Sequence, residues 1–177
     1  MFQLDFEEFL IANGFGIEAI AMLRQSYETR QSLTLERHNY VLDLFRRYLL
    51  VGGLPDAVNT YLETHNIVRV REVQEAIRRL YGDDASKHEN EHGKKLMIRR
   101  IYEMIPSQME SKKKRMVAQK IRGKEGDRFV QYQEEFEYLV SSGISLSVHA
   151  ISNPHFPLAE SLQKNLLKLY FNDVGLL

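Results

Sequence analysis

Two short stretches of this sequence carry residue types that could do chemistry. The first, His88-Glu89-Asn90-Glu91-His92, satisfies the H-E-x-x-H pattern, in which two histidines one helical turn apart bind zinc and the glutamate acts as a general base. A buried metalloprotease helix needs apolar neighbours, whereas Gly82 to Gly93 is polar throughout and no third ligand stands out. The pattern therefore favours an adventitious surface site over a zinc hydrolase. We expect no catalytic residue and no resident metal.

The second stretch is Gly52-Gly53-Leu54-Pro55, which could lie against a nucleotide. Two glycines permit close approach of the backbone, and a helix that begins at Pro55 would present free N–H groups and the positive end of its dipole. A helix stop followed by a proline start explains the same residues without any ligand. From the residues alone, this second interpretation is favoured.

Charge is balanced over the whole chain but unevenly distributed along it. The chain contains 24 Lys+Arg and 24 Asp+Glu, yet the segment from Lys94 to Arg128 holds 12 basic and 4 acidic residues, a net charge of +8. Such a segment suggests a polyanionic partner, although solvated helix faces explain it about equally well. The candidate DNA-binding residues are Lys112, Lys113, Lys114, Arg115, Lys120, Arg122, Lys124, Arg128 and Gln131.

Composition excludes several classes of protein. The chain has no cysteine, which rules out a disulfide scaffold, a thiolate metal site and a cysteine nucleophile. Its apolar runs fall short of the ~18 residues of a membrane span, and its first residues lack the basic start and apolar core of a secretory signal. We therefore expect a soluble, cytoplasmic, globular chain without a membrane partner.

The elements that must position these residues are mainly helices. Hydrophobic periodicity over residues 1–82 predicts an all-helical bundle. Asp5 and Glu8 form a capping-box pattern for a first short helix. Gly52-Gly53 should end a longer helix, and Pro55 should begin the next.

A polar linker over residues 83–93 should separate this bundle from a second domain, residues 94–160. There we predict a helix ending near Pro106, a short second helix, and a third helix capped by Asp127. We interpret the polar residues that follow this proline as capping and turn residues: Ser107, Gln108 and Ser111. Strand periodicity follows, in which Ile144, Leu146, Val148 and Ala150 alternate with Ser145, Ser147 and His149.

The predicted class is thus mainly α: a helical bundle followed by a winged-helix domain with a small β-ribbon. The third helix of a winged-helix fold commonly enters the major groove. Arg128 and Gln131 would lie at its leading end, but the outward positions Glu134, Glu135 and Glu137 would repel phosphates. The sequence supports at most weak, non-specific binding of double-stranded DNA, and the acidic face suits a protein-docking module equally well.

Four strings occur in order between Leu4 and Leu177: LDFEEFLIANG, LFRRYLLVGGLPDAVNTYLE, IPSQM and LKLYFNDVGLL. Together they resemble the predicted prokaryotic AAA-type ATPases that carry a nuclease-like C-terminal domain of unknown function. In that family a P-loop domain precedes a helical lid and a winged helix, and the nuclease-like domain follows. The resemblance implies that residues 1–82 are lid-like and that residues 161–177 begin a truncated C-terminal domain. It also implies that the missing P-loop and nuclease-like domains are partners.

The resemblance implies that the parent protein binds ATP and Mg, and that Gly53 and Pro55 lie near the nucleotide. With the resemblance included, the nucleotide interpretation of Gly53 and Pro55 and the ligand-free interpretation are about equally supported. This chain itself contains no G-x-x-x-x-G-K-[ST] motif. We therefore expect no ATP hydrolysis by the isolated chain and no cofactor in it.

Two functions from different classes stay open. The first is a non-catalytic fragment of an AAA-type ATPase that provides a lid and a winged-helix module binding DNA or protein. The second is a stand-alone structural or protein-interaction module without nucleic-acid binding. The apolar ending KLYFNDVGLL needs packing partners, so we expect the centre of a longer protein, and a homo-oligomer formed through residues 166–177 is an open alternative.

Overall fold

The structure, a computed structural model, describes residues 3–87, 92–112 and 115–177. It divides into two compact units, which we call the helical unit (Met1–Ile77 with Asp173–Leu177) and the ribbon unit (Arg78–Asn172). The described residues are mainly helical with one small antiparallel β-ribbon, which confirms the prediction of a mainly α chain with a small ribbon. The chain leaves the helical unit after Ile77 and returns to it at Asp173.

The helical unit contains four helices and the start of a fifth: α1 (Phe6–Ala12), α2 (Ile17–Glu28), α3 (Leu35–Val51), α4 (Pro55–Thr64) and α5 (Ile67–Lys87). The capping box predicted for α1 is confirmed: Glu8 N–H donates to Asp5 Oδ1 over 2.8 Å, and Asp5 N–H donates to Glu8 Oε2 over 2.9 Å. The Phe9 ring is fully buried, 5.4 Å from the Tyr48 ring and 6.3 Å from the Tyr61 ring. These aromatic contacts join α1, α3 and α4.

The ribbon unit contains the rest of α5, then α6 (His92–Glu110), α7 (Ala118–Arg122), a 3₁₀ turn (Phe129–Tyr132), α8 (Gln133–Ser141), β1 (Ser145–Ile151) and β2 (Leu162–Phe171). Its core lies between α6, α8 and the ribbon, where Ile101 and Ile105 are fully buried. The Tyr102 ring packs 5.0 Å from the Phe171 ring, so α6 is held against β2.

The prediction that a helix ends near Pro106 is wrong, because α6 continues through this proline to Glu110. Proline has no N–H to donate to the carbonyl one turn earlier, which weakens a helix interior. Gln108 beyond the proline is buried, as Ile101 and Ile105 are before it, so tertiary packing of α6 offsets that loss. Ser107 and Gln108 are consequently helix residues and not turn residues.

The predicted boundaries also differ from the observed units. Asp83 to Lys87 continue α5, and His92 and Gly93 begin α6, so both described ends of the predicted linker are helical. A polar sequence can form a helix whose sides face water. Residues 88–91, and with them most of the H-E-x-x-H pattern, lie outside the described residues. Residues 161–177, expected to begin another domain, form β2 and a short turn, Val174–Leu176.

The ribbon confirms the strand predicted from the alternation of residues 144–150 but turns the apolar side of β1 outward. Ser145 pairs with Phe171 and Ser147 with Leu169, and directly paired residues share a face of the ribbon. Ser145 is buried, whereas Leu146 on the other face is 56% exposed. The apolar side chains that the ribbon packs against the core therefore come from β2.

Replacing the core residue Ile101 by alanine should destabilise the ribbon unit by about 2–5 kcal/mol, because a cavity forms where the side chain is fully buried. The matched control is Leu96→Ala on the same helix, where the side chain is 64% exposed and the loss should stay within about 0.5 kcal/mol. Denaturant unfolding followed by circular dichroism measures both. Equal losses would contradict the described burial of α6.

Candidate functional site

The Gly52-Gly53 loop is in contact with the chain's own backbone. The Gly53 N–H donates to Asp173 Oδ2 over 2.7 Å, and the Gly53 carbonyl accepts from Leu4 N–H, also over 2.7 Å. Tyr48 donates its hydroxyl to the carbonyl of Leu4 over 3.1 Å. Both backbone groups of Gly53 are thus engaged within the helical unit.

Asp173 is the charged residue that contacts this loop, and its side chain is buried at 4% exposure. Its second oxygen, Oδ1, accepts from Gly175 N–H over 2.8 Å. Burial raises the pKa of the Asp173 carboxyl above its ordinary value, and the two N–H donors from Gly53 and Gly175 only partly oppose that effect. We call Asp173 with these two amides the carboxylate clamp.

Gln74, on α5, binds the end of α3 next to this loop. Its Nε2 donates to the carbonyl of Leu50 over 2.9 Å and to that of Val51 over 2.8 Å. These are C-terminal carbonyls of α3, which have no partner inside their own helix. Gln74 is buried, so its amide replaces the water that would otherwise satisfy them.

Both glycines of this loop are needed because neighbouring atoms leave no room for a side chain. A side chain at Gly53 would overlap the carbonyl of Leu4, and one at Gly52, where φ is +73°, would overlap the carboxylate of Asp173. The helix stop at Gly52 and the start of α4 at Pro55 are both confirmed. The close approach that these residues permit is used by the chain itself, and the nucleotide position of Gly53 and Pro55 stays a prediction.

The predicted DNA-binding residues lie in the ribbon unit, and two of them share an open depression. Lys120 on α7 and Lys124 line a space of about 520 Å³, which we call the basic basin. Its remaining lining residues are Met104, Ser107, Gln108, Gln119, Gly123 and Glu125. Within the described part of the chain, neither lysine has an ion-pair partner, so both ammonium groups are open to an anion.

The other predicted cations are placed differently. Lys112 and Arg128 are exposed and Arg115 is half-buried, while residues 113 and 114, the predicted Lys113 and Lys114, lie outside the described residues. The guanidinium of Arg122 lies over the Tyr132 ring, 5.3 Å from its centroid, and is therefore held by a cation–π contact.

The start of the third helix differs from the prediction. Asp127 does not cap it: the carboxylate of Asp127 instead accepts the hydroxyl hydrogen of Tyr132, and the helix begins with the 3₁₀ turn. Burial, together with this hydrogen bond, raises the pKa of Tyr132 to about 12. Gln131 uses its side-chain oxygen to accept from Arg128 N–H over 3.1 Å.

The acidic face of α8 is smaller than predicted. Glu135 is buried, because the turn of the helix places it beside Phe136 and Leu139 in the core. Glu134 is exposed and pairs with Lys94 over 2.8 Å. Glu137 is exposed and accepts from Gln133 Nε2, also over 2.8 Å. Two carboxylates therefore remain on the outer face of α8.

Comparison with known families decides where the chain belongs. The profile of a family described as "Domain of unknown function (DUF8612)" matches residues 42–177. The chain belongs to the DUF8612 family. The matched range contains the carboxylate clamp, Gln74 and the basic basin, and it excludes α1 and α2. No curated protein and no solved structure matches this DUF8612 chain.

Two searches of the described residues bear on other classes of site. No group of three or more His, Asp and Glu residues in that part of the DUF8612 chain is arranged to hold a metal ion. Of the helices in the described ranges, none combines the length and apolarity needed to cross a bilayer.

Replacing Gly53 by alanine should destabilise the helical unit by about 1–3 kcal/mol, since the new Cβ would overlap the Leu4 carbonyl and backbone would have to move. Gly93→Ala in α6 is the control, because nothing lies within 4 Å of a Cβ placed there and alanine is the better helix former. Thermal unfolding of both variants measures the difference. A Gly53→Ala protein as stable as the control would contradict the described approach of Leu4.

Asp173 should make stability depend on pH in an unusual direction. Its pKa is raised on folding, so the folded chain binds the proton at a higher pH than the unfolded chain. This group's contribution to stability therefore increases as pH falls through the raised value to the ordinary one. We expect wild type to gain stability relative to Asp173→Asn as the pH is lowered towards about 4, the ordinary pKa of an aspartate, measured by urea unfolding. Asp56→Asn on the surface of α4 is the control, and a constant difference for Asp173→Asn would contradict the raised pKa.

Proposed function

We propose that this DUF8612 chain is a non-catalytic module of an AAA-type ATPase, in which the helical unit is a lid-like bundle and the ribbon unit is a winged-helix-like module that binds double-stranded DNA. The order of α6, α7 and α8 followed by an antiparallel ribbon supports the winged-helix assignment. The resemblance to AAA-type ATPases supports the parent protein, whose missing P-loop and nuclease-like domains are the proposed partners, with ATP and Mg bound by the parent.

The observation that carries DNA binding is the basic basin. Lys120 and Lys124 line one open depression and form no ion pair within the described residues, and Glu125 is the acidic residue of the same lining. Lys112 and Arg128 add exposed positive charge before and after α7 in the sequence. Phosphate contacts of this kind release condensed counterions, which supplies most of the free energy of non-specific DNA binding.

The same geometry limits what the ribbon unit can recognise. Arg122 lies over Tyr132, and the side-chain oxygen of Gln131 accepts from Arg128 N–H, so each would have to give up a contact to reach a base edge. The carboxylate of Glu137, which is bonded to a neutral amide, would repel phosphates along α8, whereas Glu134 is paired with Lys94. We therefore propose sequence-independent contact with the DNA backbone through the basin, and not insertion of α8 into the major groove.

The alternative, a stand-alone protein-interaction module, is favoured by a different observation. Leu146 is 56% exposed and Val148 is 49% exposed on the outer face of β1. Adjacent exposed apolar side chains are typical of protein contact sites. A docking role and DNA binding would use different residues of the ribbon unit, so the two functions can be tested separately.

Charge reversal in the basin, Lys120→Glu with Lys124→Glu, should weaken DNA binding and reduce its dependence on salt, because two phosphate contacts are lost. Fluorescence anisotropy of a labelled duplex, titrated at about 50 and 200 mM salt, measures it. Wild type should bind more weakly at the higher salt, and the variant should lose about two units of the slope of log K against log salt.

Arg47→Glu with Arg69→Glu, at two exposed positions of the helical unit, changes the net charge equally and is the control. It should retain the wild-type slope if the basin is the binding surface. No binding of wild type at the lower salt would overturn the DNA-binding proposal and leave the docking function. Equal losses in both variants would show that only net charge matters.

A further inference from the structure

A second depression of the ribbon unit is apolar and shares no lining residue with the basic basin. It encloses about 620 Å³ between α8 and the ribbon. Its apolar lining side chains are Phe129, Val130, Phe136, Val140, Ala159, Leu162 and Leu167. We call it the α8 groove. Phe136 and Leu167 are buried, whereas Val130 is 76% exposed and Leu162 is 42% exposed, so the groove runs from the core to the surface.

The apolar surface extends beyond the groove along the chain. Phe156 is 93% exposed and Leu158 is 45% exposed, in the segment that leads to the groove residues Ala159 and Glu160. Exposed apolar side chains that adjoin a groove are typical of a binding site for another macromolecule, since their contact with water is unfavourable until a partner covers them. A small molecule that filled the groove would leave these side chains in water.

The charges of the α8 groove define the partner. Among the described lining residues, Glu137 and Glu160 are the carboxylates, His149 is the other ionisable side chain, and none is a lysine or an arginine. Glu137 accepts a hydrogen bond from Gln133, a neutral amide that leaves its charge uncompensated, and Glu160 has no ion pair among the described contacts. An apolar groove edged by two carboxylates is complementary to apolar side chains flanked by lysine or arginine.

The groove is lined by side chains from both walls, and this favours a helical partner. An extended segment would bring unpaired backbone N–H and C=O groups against Phe136 and Leu167, at a cost in free energy. An amphipathic helix satisfies its own backbone and presents apolar side chains at i, i+3 and i+4. We propose that the α8 groove binds a basic amphipathic helix of a partner protein, a function independent of DNA binding by the basin.

The proposal is tested with a fluorescently labelled Leu/Lys model helix, titrated with the full chain and followed by anisotropy. A Leu/Glu helix of the same length and apolar spacing is the matched probe. The Leu/Lys helix should bind, and the Leu/Glu helix should not, because Glu137 and Glu160 would repel it. Equal binding of the two peptides would overturn the proposed charge complementarity.

Two variants locate the site. Glu137→Lys with Glu160→Lys should weaken binding of the Leu/Lys helix about tenfold, and Val130→Ser should weaken it without changing its salt dependence. All three side chains are exposed, so the fold should be retained. Glu63→Lys with Glu72→Lys, two exposed positions of the helical unit, is the charge-matched control and should bind like wild type.

Other occupants of the groove give distinguishable results, and each overturns the proposal. Binding of an apolar dye but not of the Leu/Lys helix would indicate a small apolar ligand. A dimer in sedimentation velocity that Glu137→Lys with Glu160→Lys dissociates would indicate a second copy of the chain. Unchanged peptide binding in both groove variants would place the contact elsewhere. Because the basin lysines are intact in these variants, DNA binding can succeed or fail independently.

Discussion

The helical unit depends on one buried carboxylate. Asp173 accepts the amide hydrogens of Gly53 and Gly175, and it thereby fixes the end of α3, the loop before α4 and the C-terminal turn in a single arrangement. Burying an ionised carboxylate costs free energy unless it is hydrogen-bonded, and contact with apolar groups would not offset that cost. The two amide hydrogen bonds are therefore needed. The carboxylate of the clamp occupies the space that a side chain at Gly52 would need, and the Leu4 carbonyl occupies the space that a side chain at Gly53 would need.

Much of the fold could be predicted from the sequence because its signals are local. The capping box at Asp5, the helix stop at Gly52 and the helix start at Pro55 each depend on residues within a few positions, and the structure confirms all three. The alternation of β1 is equally local and also confirmed. Local signals failed at Pro106: α6 continues through this residue, and Gln108 beyond the proline is buried, as Ile101 and Ile105 are before it.

The candidate site was less predictable because it is formed by distant residues. Sequence reasoning found Gly53 but missed Asp173, 120 positions away, and nothing in the sequence pairs a late aspartate with an early glycine. Spacing located Lys120 and Lys124 but could not show that they share one depression, nor that Arg122 is held by Tyr132. The α8 groove was also missed, because one of its walls is a helix and the other is the ribbon. Hydrophobic periodicity predicts each element but does not specify how the two pack together.

The return of the chain to the helical unit at Asp173 has a consequence for folding. The clamp joins positions 120 residues apart, so closing it from an unfolded chain requires a long loop with a correspondingly large loss of conformational entropy. Once the ribbon unit has folded, most of that loop is already ordered, and the effective concentration of Asp173 at the Gly53 amide rises. A folded ribbon unit therefore promotes closure of the helical unit through the covalent chain, and damage to the ribbon core would weaken the clamp through the same connection.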